Sequence, residues 1–277
     1  MYKTILVHVD ATARAAERID AAARLALAHE AHLIGSAMTG LSPYLFPVGG
    51  FDPALPAVTF PIDQLRADAE RALDAFEARV RTTAIGSFER RRMDEEQGMG
   101  LSLQARYCDL IVIGQTAPDG VPWLRSDFPE YVLLHSARPV LVIPAKGSFG
   151  AIGERVTVAW NGSVNAVRAI TSAIPLLRRA RHVGLVVFNP ATDGGPHGEL
   201  PGADMGLYLA RHGIKVDVTT ADADTNAGEA LLQHAARAGS DLIVMGAYGH
   251  SRFREILLGG ATRSALLASP LPLWMAH

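Results

Sequence analysis

Residues 241–262 read DLIVMGAYGHSRFREILLGGAT, and the fold follows from this stretch. It opens as a buried strand, Leu242-Ile243-Val244-Met245, that ends at Gly246. Gly249 comes next, then the pair Gly259-Gly260, then a helical pattern beginning at Ala261 and Thr262. Glycines at a strand end and again before a helix let the backbone approach a ligand closely. A helix start presents unpaired N–H groups and the positive end of its dipole, so the expected ligand is an anion, first of all a phosphate.

The strand in this stretch has a counterpart near the front of the chain. Asp109-Leu110-Ile111-Val112-Ile113-Gly114 matches Asp241-Leu242-Ile243-Val244-Met245-Gly246, each after an Ala-Arg-containing helical run. Residues 4–10 match 156–161, and 137–143 match 269–275. A repeat of this size is a whole domain rather than a solenoid unit. The glycine-rich stretch at 147–153 reads as the linker between a domain at 1–146 and another at 154–277.

Each half alternates strand and helix. In the first half, strands are expected at 4–9, 32–38, 87–91, 109–113 and 139–143, with helices at 13–29, 62–84 and 98–107 and one more before the last strand. In the second, strands are expected at 155–160, 183–188, 214–219, 241–245 and 271–275, with helices at 163–180, 204–212, 227–238 and 261–268. Alternation of this kind implies an α/β fold. The expectation is two tandem doubly wound domains, each a five-stranded parallel sheet of order 3-2-1-4-5 flanked by helices. Ligands of such sheets bind beyond the carboxyl ends of the strands, where the glycine loop lies. The first half alone carries a proline- and aromatic-rich insertion at 40–61, read as a packing lid or a partner-binding loop.

Composition narrows the classes. The 277 residues are 49% hydrophobic and 19% charged, ordinary for a globular protein. A net charge of −2 gives no basic face for nucleic acid. No run approaches the length of a membrane span, and the N-terminal residues are not a signal peptide. Cys108 is the one cysteine, so no internal disulfide forms and a cytoplasmic location is expected. His29 and His32 straddle a helix-to-strand turn without a third ligand, so no metal site is expected. The chain lacks a G-x-S-x-G elbow and a Walker lysine motif, which argues against a serine hydrolase and against efficient phosphoryl transfer.

The long motif Gly246-x-x-Gly249-x9-Gly259-Gly260, set between strand and helix, resembles that of the universal stress protein family. The tandem arrangement is similar to the family's two-domain members. The resemblance implies a stress-response sensor or adaptor that binds an adenine nucleotide, ATP or else ADP or AMP, with or without Mg2+. At most it would be a weak ATPase; the competing expectation is an interaction module that binds no nucleotide and uses loop 40–61. Carried onto this chain, the resemblance implies Ala159 and Asn161 at the adenosine, Phe188 or its neighbour at the second strand, and Met245, Gly246, Gly249, Gly259, Gly260 and Ala261 around the phosphates; His250 and Arg252 lie within that loop and are further candidates to meet a phosphate. Asn161 stands where the family has an acid, and Gly260 where it has Ser or Thr. One lost hydrogen bond costs about 0.5–1.5 kcal/mol, so weaker rather than absent binding is expected.

The first half departs further. It keeps Asp10, but counting from Gly114 sets Ala117, Asp127 and Phe128 at the positions of Gly249, Gly259 and Gly260. That half is expected not to bind nucleotide through this loop and to pack on the second as an intramolecular pseudo-dimer. The resemblance also makes a homodimer plausible, with an unknown protein partner.

Overall fold

A computed structural model describes residues 1–41, 61–116, 127–189, 200–223, 226–248 and 260–277. The insertion at 40–61 falls almost wholly outside the described residues, as do Gly249, His250, Arg252 and Gly259.

The first half runs β1 (Thr4–His8), α1 (Ala15–His29), β2 (His32–Met38), α2 (Ile62–Val80), β3 (Phe88–Met93), α3 (Gln97–Ala105), β4 (Leu110–Gly114), α4 (Phe128–His135) and β5 (Val140–Ile143). The second runs β6 (Arg155–Ala159), α5 (Val164–Leu177), β7 (His182–Phe188), α6 (Ala203–Arg211), β8 (Val216–Ala221), α7 (Ala227–Arg237), β9 (Leu242–Gly246), α8 (Ala261–Ala268) and β10 (Leu273–Ala276). The strands form one ten-stranded sheet in the order β3-β2-β1-β4-β5-β10-β9-β6-β7-β8. Each half therefore has the doubly wound order 3-2-1-4-5, with parallel pairing throughout. The two halves meet through β5 and β10, which pair antiparallel, Leu273 with Val142 and Met275 with Val140.

Alternating side chains of the central strands feed two cores. Ile5 and Val7 pack with α1, α2, α5 and α6 on one face, whereas Leu6 and Ile111 pack with α3, α4, α7 and α8 on the other. α2 shows why the pattern suffices. Its buried residues Ala69, Leu73, Phe76 and Val80 fall at helical spacing, and its polar face pairs with the edge strand β3. Arg90 of β3 reaches Glu70, Asp74 and Glu77.

The repeated aspartates have a structural role. Asp109 accepts from the N–H groups of Lys3 and Thr4, and Asp241 accepts from those of Gly153, Glu154 and Arg155. Each carboxylate thus ties the start of one inner strand to the residue that precedes another. Burial raises the pKa of Asp241, and the three N–H donors work against that rise.

β8 and β10 each begin two residues after the expected place. β8 begins at Val216 rather than 214, because Ile214 still closes α6: its N–H bonds Leu209 O at 3.1 Å, after Gly213 has turned with φ of 75°.

The junction between halves is sealed by Trp274, which is fully buried. Its ring lies 5.4 Å from that of Tyr2, and its Nε1 donates to Ser172 Oγ at 3.0 Å. Tyr2 Oη donates to the carbonyl of the same serine at 2.8 Å, so strand starts of one half and a helix of the other share one anchor. The connecting residues are held by α1: Arg14 donates to Gly147 O, and Glu17 accepts from Phe149 N–H, both at 2.7 Å. Trp274→Ala is expected to cost about 3–5 kcal/mol, read as a lower denaturation midpoint in urea. A change under about 1 kcal/mol would contradict a junction core built on this ring.

Candidate functional site

The carboxyl ends of β6, β7 and β9 and the first turns of α7 and α8 enclose a cavity of about 250 Å3. Ala159, Trp160 and Asn161 come from the end of β6, Phe188 from β7, Met245 and Gly246 from β9, Ala227 and Leu231 from α7, and Ala261 and Thr262 from α8. Six of the residues expected from the sequence thus converge here: Ala159, Asn161, Phe188, Met245, Gly246 and Ala261. Gly260 is the N-cap of α8, beside them.

Each position has a local reason. Asn161 folds the turn after β6, its Oδ1 accepting from Ser163 N–H at 3.1 Å. Asp10 makes the same turn in the first half with Thr12 N–H at 3.0 Å, so the amide in place of an acid leaves this geometry intact. Ser163 caps α5 by accepting from Ala166 N–H. Gly246 is required for a reason the sequence reading did not supply. A Cβ there would stand 2.5 Å from Ala166 N and 2.7 Å from Asn165 C, so the strand end is pressed onto the backbone of α5. Gly228 does the same for α7, where a Cβ would lie 2.9 Å from Cα of Ala261. That contact fixes the start of α8 at the cavity.

Trp160, Ala227, Leu231 and Thr262 of the lining, and Asn165 beside it, escaped the sequence reading. Thr262, 3% exposed, accepts from Tyr248 N–H through its Oγ1 at 3.0 Å. Asn165, also buried, donates through Nδ2 to Ala247 O at 2.5 Å and to Tyr248 O at 3.2 Å. Together they hold Tyr248, whose φ of 54° is left-handed. Leu231 supplies an apolar wall from α7, far from the motif in sequence. No pattern in the glycine stretch could have pointed to Leu231, because tertiary packing alone brings it there.

The cavity is uncharged across its ten lining residues. Its walls are apolar and aromatic, and the N-terminus of α8 has no side-chain cap. The first-turn N–H groups and the dipole of α8 therefore face an opening with no protein acceptor from Gly260. His234 stands edge-on to Phe188 with ring centroids 6.0 Å apart, and burial, then Arg237, lowers its pKa, favouring the neutral ring.

Residues 153–277 match the family model described as "Universal stress protein family". These residues belong to the universal stress protein family. Over its whole length the chain is similar in fold to a universal stress protein from Archaeoglobus fulgidus, at 16% identity and a TM-score of 0.76, covering 99% of this chain and 97% of that one. It is similar also to a functionally unknown protein from Pseudomonas aeruginosa, at 14% identity and a TM-score of 0.64, with 99% and 92% covered. No curated protein matches it by sequence.

The first half of this tandem universal stress protein fold has its own cavity, about 350 Å3 in volume, at the ends of β1, β4 and β5. Its register against the second half corrects the count made from Gly114. Asp127 is the N-cap of α4 and Phe128 its first residue, as Gly260 and Ala261 are for α8. The first-half segment is one residue shorter between strand and helix, so Phe128 stands opposite Ala261 rather than Gly260. The last residue of β1 is His8 where β6 has Ala159, and the first of α3 is Gln97 where α7 has Ala227. Three alanines of the second cavity are thus replaced by His, Gln and Phe. His8 and Phe128 pack with ring centroids 4.7 Å apart, filling room that the second half leaves open.

Among the described residues, no cluster of three His, Cys, Asp or Glu could hold a metal, and no helix is long and apolar enough to cross a membrane. Cys108 is buried, and burial raises its thiol to about 11, where it is neutral. Gly246→Ala is expected to destabilise the chain by about 1–3 kcal/mol, measured by chemical denaturation, because the added methyl meets backbone that cannot rotate away. An unchanged midpoint would remove the close approach to α5 as the reason for glycine.

Proposed function

We propose that the second half binds an adenine nucleotide, ATP or else ADP or AMP, in the cavity between β6, β7, β9 and α8. The base lies against Phe188, Leu231 and Met245. Asn161 meets the ribose with its side-chain amide, and the phosphates run towards the N-terminus of α8 and the glycine-motif loop. One observation carries the reading: among the described residues, an uncharged, aromatic-lined cleft at strand carboxyl ends runs into a helix start whose N-cap, Gly260, has no side chain. A flat base suits the first part and an anion the second. The family of residues 153–277 supports the same ligand class.

In this reading residues 1–146 and 154–277 are two units joined by 147–153. The first serves as a structural partner: His8, Gln97 and Phe128 stand where the second half has alanines, so the place proposed for the base in the second half is taken there by side chains. Binding without a dedicated catalytic group suits a sensor or adaptor in stress response better than an enzyme. The cytoplasm is the setting that fits such a role and a lone, buried cysteine.

The test is calorimetric titration of the full chain with AMP and ATP. Roughly one nucleotide per chain is expected, with micromolar affinity. Ala159→His, which places the first half's side chain in the second half's cavity, is expected to weaken binding at least about tenfold. Phe188→Ala is expected to cost about 1–3 kcal/mol of binding, the worth of one base stacked on an aromatic ring. Unchanged affinity in both variants would place the nucleotide elsewhere.

A further inference from the structure

The first-half cavity has chemistry of its own. Among the described residues its walls include Arg14, Arg18 and Lys146 against a single carboxylate, Asp10. His8 adds no charge, because burial and then Arg18 push its pKa down to about 3. The lining therefore holds two more cations than anions. In the second half the residues opposite Arg14 and Arg18 are Asn165 and Ala169, so this charge is peculiar to the first half.

Arg18 is 3% exposed. Its Nε donates to His8 O at 2.6 Å. Its Nη2 lies 2.9 Å from Asp10 Oδ1 but off the hydrogen-bonding direction, and has no hydrogen-bond partner among the described residues. Its Nη1 stands 2.7 Å from where a Cβ of Gly114 would be, so the guanidinium occupies the space beside that bare backbone at the cavity wall. Arg14 gives Nη2 to the carbonyls of Pro144 and Gly147, and its buried Nε likewise has no partner among the described residues. Arg18 is charge-paired with Asp10, but buried N–H donors left without a hydrogen-bond acceptor are costly, and a bound anion relieves them.

We propose that this cavity is a phosphate site, for free phosphate or for a small phosphate ester that carries no base. The two excess positive charges match a phosphate dianion, and planar guanidinium groups suit its oxygens. Thr12 and Thr116 add hydroxyl groups to the lining. The packed rings of His8 and Phe128, tilted at 46°, exclude an adenine from the place it takes in the proposed second-half site. Arg14 also holds the connecting residues at Pro144 and Gly147, so an anion here bears directly on the join between the halves.

The experiment is calorimetric titration of the full-length chain with inorganic phosphate and, separately, glycerol 3-phosphate, in the presence of excess AMP. Lys146→Ala changes an exposed residue and leaves the fold intact. The double variant Asp10→Asn with Arg18→Met removes the buried pair together, so neither charge is orphaned. Wild type is expected to bind phosphate, Lys146→Ala about tenfold more weakly, and the double variant not measurably. AMP uptake in separate titrations is expected to be the same in all three, so a failure of the nucleotide reading shows independently. Binding of the ester as well as phosphate would identify an ester-sized site; phosphate alone would identify the free ion. No phosphate uptake by wild type up to roughly 10 mM, or equal uptake by wild type and Lys146→Ala, would overturn the proposal. Should the double variant fail to fold, Lys146→Glu replaces it, with the same loss expected.

Discussion

The antiparallel pairing of β5 with β10 is the constraint on which the rest of the structure depends. A parallel five-stranded sheet ends in a bare edge beside its last strand, and a bare apolar edge invites association. Here each half covers that edge of the other. Because all other pairings are parallel and this one is not, the strands of the two halves point in opposite directions. The carboxyl ends of the strands, where doubly wound sheets build their clefts, therefore lie at opposite ends of the joint sheet. The two cavities are separated by geometry, and their side chains have been free to diverge.

That divergence runs along a short set of matching positions. The second half keeps Ala159, Ala227 and Ala261 around its opening, and an apolar pocket results. The first half has His8, Gln97 and Phe128 at those positions, and Arg18 where the second has Ala169. Burial and Arg18 keep His8 neutral. Burial alone would raise the pKa of Asp10, but Arg18 foremost, and the hydrogen bonds from Thr12, hold it below the ordinary carboxylate range. One scaffold thus presents an uncharged cleft ending at a helix start on one side and a cationic cavity on the other.

Much of this was legible in the sequence, for identifiable reasons. Strands such as Leu242-Ile243-Val244-Met245 are apolar on both faces, which a doubly covered parallel sheet demands, and the repeat declared the tandem. Ala159, Asn161, Phe188, Met245, Gly246 and Ala261 were named through the family resemblance, and they line one cleft or its rim because strand ends and a helix start adjoin in this topology. Leu231, Ala227 and Thr262 were not, since α7 reaches the site only through tertiary packing and the threonine's bond to Tyr248 is invisible in one dimension. The role of Gly246 was misjudged in kind: contact with the backbone of α5 already requires it, ligand or no ligand. The count that set Phe128 opposite Gly260 failed because strand-to-helix segments of unequal length look alike without their helix caps. The union of the two sheets through β5 and β10 had no sequence signal beyond the apolar character of both strands.

The central claim is that only the second half keeps the place for a base beside Ala159, Ala227 and Ala261. Photo-crosslinking with an azido-adenine nucleotide, followed by mass spectrometry of the labelled peptides, tests it most directly. The account predicts adducts on segments carrying Phe188, Leu231 or Met245 and none on those carrying His8 or Phe128. Labelling of the His8 or Phe128 segments at comparable yield, competed by unlabelled AMP, would contradict it.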